Sequence, residues 1–173
     1  MRHTYKTAKE GLGSCKVRYH PIALKLDGQT VSVIGGGMVA ERKILSLIKA
    51  GSDVKVVSPY LTPRLARLVR KGSLSWRKGS VIKSDFKSVR IVIAATSDRR
   101  INRQVSRWAR EAGTWVNVVD DSRLSNFISP AILRHRKSII AVYTDGKDPE
   151  LSRDLKNFLK ERWNDFLSYR DRL

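Results

Sequence analysis

The 173-residue chain has a single cysteine, Cys15, so an internal disulfide framework is excluded and a reducing compartment is expected. A cytoplasmic location follows as the expectation. No apolar run approaches the roughly 18 residues that a membrane span requires, and no apolar N-terminal stretch looks like a secretory signal. His3, His20 and His135 show no ligand spacing with Cys15, so no metal site is expected. No serine, histidine and acid arrangement announces acyl transfer. Acidic residues are also scarce. Sixteen Asp and Glu against 35 Lys and Arg leave a formal charge of +19, a field that favours anionic partners of any kind.

With 41% hydrophobic residues the chain can bury a core without staples. Residues 1–18 are basic and read as an N-terminal extension. From Tyr19 the sequence alternates two patterns. Thr30 to Ile34, Asp53 to Val57, Leu74 to Trp76, Ile91 to Ala95 and Trp115 to Val119 are short, β-branched and apolar, as strands covered on both faces are. Between them lie helical stretches from Met38 to Ala50, from Thr62-Pro63 to Gly72, and from about Asp98 to Ala112. Such alternation predicts an α/β fold, a Rossmann-like doubly wound parallel sheet over 19–125.

The rhythm changes at Asn126. Phe127 to Leu133 and Ser138 to Tyr143 read as two strands joined by the polar turn Arg134 to Lys137. A long helix beginning at Asp148-Pro149 carries Leu151, Leu155, Phe158, Leu159, Trp163, Phe166 and Leu167 on one side. So wide a stripe, with so little chain left to cover it, predicts that 126–173 is a small strand-pair-plus-helix dimerisation region serving a homodimer.

The turn after the first strand reads Gly35-Gly36-Gly37-Met38-Val39-Ala40, a G-x-G-x-x-A pattern. Gly35 permits the tight turn, Gly37 lets the backbone approach a pyrophosphate, and Ala40 allows close helix–strand packing. Preceded by a strand and followed by a helix, the motif sits in the context that dinucleotide binding requires. The second strand ends in Val57-Ser58-Pro59, without the acid that commonly binds the ribose, and Arg64 is nearby. On these residues NAD and NADP stay undivided.

Ligands of open parallel sheets lie beyond the C-terminal strand ends. Ser58, Thr96 to Asp98, and Asn117 with Asp120 and Asp121 stand there. Asp120 could serve as a general base where a ring carbon gives up hydride and a neighbouring atom loses a proton, or could cap the next loop. Asp121 reads as a loop cap. Arg99, Arg100, Arg103, Arg107 and Arg110 share one helical segment, with Arg103, Arg107 and Arg110 spaced for one face.

The segments VIGGGMVAERK (Val33 to Lys43), AGSDVKVVSP (Ala50 to Pro59), IAATSDRRIN (Ile93 to Asn102), NVVDD (Asn117 to Asp121) and FISPAI (Phe127 to Ile132) occur in this order and spacing. Together, over about Tyr19 to Leu159, they resemble the precorrin-2 dehydrogenase family, which also forms the N-terminal part of bifunctional sirohaem synthases. The resemblance implies NAD-dependent oxidation of precorrin-2 to sirohydrochlorin in sirohaem biosynthesis, with Asp120 as the essential carboxylate. It implies cofactor contacts at Gly35, Gly37, Met38, Val39 and Ala40, and at Pro59 and Tyr60; Ser58 and Thr96, at the same strand ends, join that expected set. A polycarboxylate tetrapyrrole as substrate agrees with the basic charge, with Asn117 and Arg103 as expected substrate contacts. Arg99 and Arg100 stand where many relatives have acids, and Thr144 to Pro149 departs from a loop usually richer in glycine and serine. The chain stops soon after its long helix, so iron insertion, which some relatives perform, is expected to be absent. A non-catalytic nucleotide sensor and a nucleic-acid-binding basic surface on the same frame are the competing readings.

Overall fold

A computed structural model describes residues 19–135 and 138–172. Cys15, His3 and the proposed extension 1–18 lie outside them, as do Arg136 and Lys137 of the expected turn. Five parallel strands form the main sheet: β1 (Thr30–Ile34), β2 (Asp53–Ser58), β3 (Ser75–Lys78), β4 (Ile91–Ala94) and β5 (Trp115–Val118). Their order is β3-β2-β1-β4-β5, with Val33 paired to Val56 on one side and to Ile93 on the other. The order therefore reverses between β1 and β4, and two chain segments diverge there, opening a crevice at their C-terminal ends.

Helices α1 (Met38–Ile48) and α2 (Pro63–Arg70) cover one face of the sheet, where Val31, Val33, Ile44, Val56, Leu65 and Ile93 form a buried cluster. The other face is covered by α3 (Arg99–Glu111) and a 3-10 turn, Lys83–Phe86, over Val57, Val92, Val105, Ala109 and Val116. Local chemistry sets the helix starts. Thr62 caps α2, accepting from the Leu65 amide at 3.3 Å, with Pro63 in the first turn. Asp98 caps α3, accepting from the Arg100 amide at 2.8 Å.

The last part of the chain departs from its sequence pattern. The strand expected over Phe127 to Leu133 is β6 (Ala131–His135), paired antiparallel with β7 (Ser138–Val142). The residues before it serve the main sheet instead. The Val116 and Val118 amides on the open edge of β5 donate to Asn126 Oδ1 (2.7 Å) and Ser125 Oγ (2.8 Å), while Asn126 N donates to Val116 O (3.0 Å). The edge strand is thereby closed to further pairing. The expected long helix is divided into α4 (Pro149–Glu161) and α5 (Trp163–Arg170). At the break Arg162 adopts φ −89°, ψ 10°, and Trp163 turns against the His135 ring, centroids 4.5 Å apart. No helix among the described residues is long and apolar enough to cross a membrane.

One buried carboxylate binds the far side of the sheet together. Asp85, 1% exposed, accepts from Arg77 Nε (2.8 Å), the Ile82 amide (2.9 Å) and Lys55 Nζ (3.3 Å), and from Arg77 Nη2. Burial pushes this carboxyl up, but the hydrogen bonds from Arg77, Ile82 and Lys55 outweigh it and hold it below the usual carboxylate range. Its stabilisation is therefore present above the unfolded value near 3.9 and is lost as pH falls through the lower folded value. Asp85→Asn is expected to cost about 3 kcal/mol at neutral pH in urea unfolding, the low end for a broken buried pair, because Lys55 and Arg77 are about a third exposed and can turn to water. The difference from the parent protein should shrink below about pH 4.

Candidate dinucleotide site and strand-end carboxylate

The glycine turn sits at the sheet's point of reversal, and its three glycines do different work. Gly35 has φ +123°, and a Cβ there would lie 2.3 Å from the Ala95 carbonyl oxygen. At Gly36 a Cβ would lie 2.1 Å from the Tyr60 carbonyl oxygen, and the Gly36 carbonyl accepts from Thr62 N at 2.9 Å. Both are demanded by protein packing. Gly37 is different: it takes φ −83°, and a Cβ on it would meet nothing within 4 Å. The open space it leaves lies over the start of α1.

That helix start has no side-chain cap, so the amides of Met38, Val39 and Ala40, ahead of the first helical bond from Glu41 N to Gly37 O, remain available to an anion. Glu41, the only acid in the first turn, is drawn off towards α2, accepting from Thr62 Oγ1 at 2.6 Å and facing Arg64 at 3.7 Å. A glycine with free space above uncapped amides is a cradle suited to the pyrophosphate of a dinucleotide. Met38, 83% exposed, and Val39 and Tyr60, also exposed, flank it as apolar surfaces. Ala40 is fully buried against the sheet, as close packing requires. Ser58 is buried beneath the turn, with its carbonyl taken by Trp76 Nε1 (3.0 Å) and Gly79 N (3.2 Å), so Pro59 and Tyr60 are the residues there that face open space.

Asp120 follows β5, its side chain 31% exposed. Its Oδ1 accepts from Asn102 Nδ2 at 3.1 Å, and Arg99 Nε lies 3.9 Å from Oδ2. Asn102 also engages Thr96, whose hydroxyl donates to Asn102 Oδ1 at 2.8 Å, which brings the ends of β4 and β5 together beside the crevice. Asp121 turns away and caps the 3-10 turn Ser122–Leu124, accepting from Arg123 N at 3.0 Å. Asn117 is buried, donating to the Phe127 carbonyl at 3.1 Å while its Oδ1 has no hydrogen-bond partner among the described residues.

The arginines divide. Arg103 and Arg107 line a shallow groove of about 560 Å³ on the outer side of α3 with Arg100 and Asp98. Arg110, placed on the same face by spacing alone, instead reaches Ser125 O at 3.3 Å. The carbonyls of the 122–125 turn draw it off. Two residues were missed in the sequence. Gly36 occupies a position the motif leaves free, and its constraint comes from the distant Tyr60 carbonyl. Asn102 does carry a signal: a polar residue four positions after a capping Asp, on the inward face of a helix with Val105 and Ala109.

Residues 22–131 match a family described as "Putative NAD(P)-binding". The chain is 39% identical over 142 residues to siroheme synthase 3 of Aeromonas hydrophila, covering 82% of this chain and 30% of that protein. It is 40% identical over 140 residues to a siroheme synthase of Nitrosococcus oceani, covering 81% and 30%. The chain thus spans about 30% of the length of the curated relatives it matches. Among solved structures it is similar to SirC, precorrin-2 dehydrogenase, with a TM-score of 0.70 and 26% identity, covering 83% of this chain and 71% of that one.

The glycines separate packing from binding experimentally. Gly36→Ala is expected to lower stability by about 1–3 kcal/mol or more, since a backbone carbonyl must move. Gly37→Ala should leave the melting temperature within a few degrees yet weaken dinucleotide binding at least tenfold, as read by fluorescence titration.

Proposed function

We propose, from the premise that this chain belongs to the NAD(P)-binding family matched over residues 22–131, that it is an NAD-dependent precorrin-2 dehydrogenase yielding sirohydrochlorin. The observation that carries the proposal is a partly exposed carboxylate, Asp120, held at the C-terminal edge of the sheet beside an uncapped, open glycine turn. The similarity to siroheme synthases and to SirC supports the substrate.

Gly37 and the first-turn amides of α1 would hold the pyrophosphate, with Met38, Val39, Pro59 and Tyr60 around it and Thr96 at the neighbouring strand end. NAD, when bound, supplies the acceptor for the hydride that the macrocycle loses. Asp120 takes the accompanying proton, so that two electrons and two hydrogens leave the substrate and a new double bond forms. The choice of NAD over NADP rests on the resemblance to the precorrin-2 dehydrogenase family; Arg64, near the turn, faces Glu41 at 3.7 Å. Arg103, with Arg100 and Arg107, offers charge to substrate carboxylates, whereas Asn117, the other expected substrate contact, is buried in β5 with its side chain on the Phe127 carbonyl.

The same proposal includes a homodimer built on the C-terminal region. Ile139, Leu151, Phe158, Phe166 and Tyr169 are each at least half exposed on β7, α4 and α5, more apolar surface than a lone subunit usually leaves in water. A two-fold contact would cover this face with its own copy.

Two measurements test these points. Anaerobic turnover of precorrin-2 with NAD should release NADH and sirohydrochlorin in equal amounts, and Asp120→Asn should lower kcat by about 10²–10⁴-fold. Absence of turnover from a folded protein that binds dinucleotide would refute the dehydrogenase. Sedimentation should give a dimer that Phe158→Glu converts to a monomer; a parent protein already monomeric would refute the dimer.

A further inference from the structure

Asn102 is 1% exposed and belongs to the inward face of α3 with Val105, Ser106 and Ala109. A buried amide there would be costly unless its hydrogen-bonding capacity were filled. It is filled on both sides. Oδ1 accepts from the Thr96 amide (3.2 Å) and the Thr96 hydroxyl (2.8 Å), and Nδ2 donates to the Thr96 carbonyl (3.0 Å) and to Asp120 Oδ1 (3.1 Å). The Thr96 hydroxyl accepts from the Asp98 amide at 3.2 Å and also lies 3.0 Å from the Asp98 carbonyl, so the obligate donor that fixes Oδ1 is the Thr96 amide.

This pattern determines which way the amide points. With its oxygen and nitrogen exchanged, the NH₂ would face the Thr96 amide and an oxygen would face the Asp120 carboxylate, two repulsive contacts. Asn102 therefore can only donate to Asp120. The two carboxylate oxygens are made unequal as a result. Oδ1 is committed to a buried donor. Oδ2 makes no hydrogen bond among the described residues, and Arg99 approaches it only to 3.9 Å on a side chain 82% exposed.

We infer that Asn102 is a positioning residue for the proposed reaction: it anchors Asp120 through Oδ1 and so presents Oδ2 as the oxygen that receives the substrate's proton. The inference rests on the proposed role of Asp120. Three of the four Asn102 bonds serve Thr96 and have a local structural use, namely shaping the turn between β4 and α3. The fourth crosses to another strand end, where it ties the end of β5 to that of β4 and fixes the carboxylate itself. Holding a base within hydrogen-bond reach of its proton is what such a contact contributes to catalysis.

The test compares Asn102→Ala and the isosteric Asn102→Asp, each alone and combined with Asp120→Asn, with melting temperature and NAD affinity measured beside kcat and KM. In the parent background, Asn102→Ala should lower kcat about 10- to 100-fold while KM for precorrin-2 stays within about twofold at saturating NAD. Asn102→Asp, which places an acceptor against Oδ1, should lower kcat further. Neither should lower the residual rate of Asp120→Asn, because effects acting through one group do not add. In the protein without ligands, Asp120→Ala should shift the Asn102 side-chain amide resonances in a ¹H–¹⁵N spectrum. A folded Asn102→Ala with unchanged kcat, an equal loss in both backgrounds, a loss confined to KM, or an unmoved amide resonance would overturn the inference. Loss of the fold in both single variants would do the same, by assigning Asn102 to the core alone. If Asp120→Asn itself keeps full turnover, the proposed base fails rather than its anchoring.

Discussion

Three backbone segments converge at the C-terminal edge of the sheet, and the rest of the site depends on how closely they approach. Gly35 lies against the Ala95 carbonyl and Gly36 against the Tyr60 carbonyl, at separations no side chain would permit. The reversal of strand order between β1 and β4 creates the crevice. The two glycines bring its walls together, and the third leaves the helix start open. The apolar strands beneath need no special residues for this. Their burial on both faces supplies a rigid platform, and the polar chemistry is confined to its rim.

Polar groups around that rim are arranged so that few compete for the crevice. Glu41 is turned to Thr62 and Arg64, away from the anion-seeking amides of its own helix. Asp98 and Asp121 are used as caps. Asp120 alone among these strand-end carboxylates is held by a buried side-chain amide from another element while keeping one oxygen free of hydrogen bonds among the described residues. A carboxylate so placed can act on a ligand because the neighbouring acids are already occupied.

The high positive charge is distributed unevenly in its consequences. Lys55 and Arg77 neutralise buried Asp85 and belong to the fold. Arg110 serves the 122–125 turn. Arg100, Arg103 and Arg107 line an exposed groove, where Arg100 also faces Asp98 at 3.5 Å and Arg107 faces Glu111 at 3.8 Å. Equal spacing along a helix did not give equal roles, because what a long arginine reaches depends on which acceptors the fold sets nearby.

Much of this was determined by the sequence itself. Alternating apolar runs, the Thr62-Pro63 and Asp98 helix starts, and the glycine pattern after β1 specify a doubly wound sheet and a dinucleotide-type turn through local periodicity and local hydrogen bonding, which act over a few residues. Tertiary structure decided what depends on distant partners. Ser125 and Asn126 satisfy the β5 edge and the Phe127 carbonyl accepts from Asn117, so the start of the expected strand is held against the main sheet and the hairpin starts at Ala131. Gly36 is obligatory only because the Tyr60 carbonyl, 24 residues on, arrives above it. Asn102 meets Asp120 only because parallel pairing of β4 and β5 sets their ends side by side. Periodicity records which face a residue turns inward; only the folded chain decides which partner it finds there.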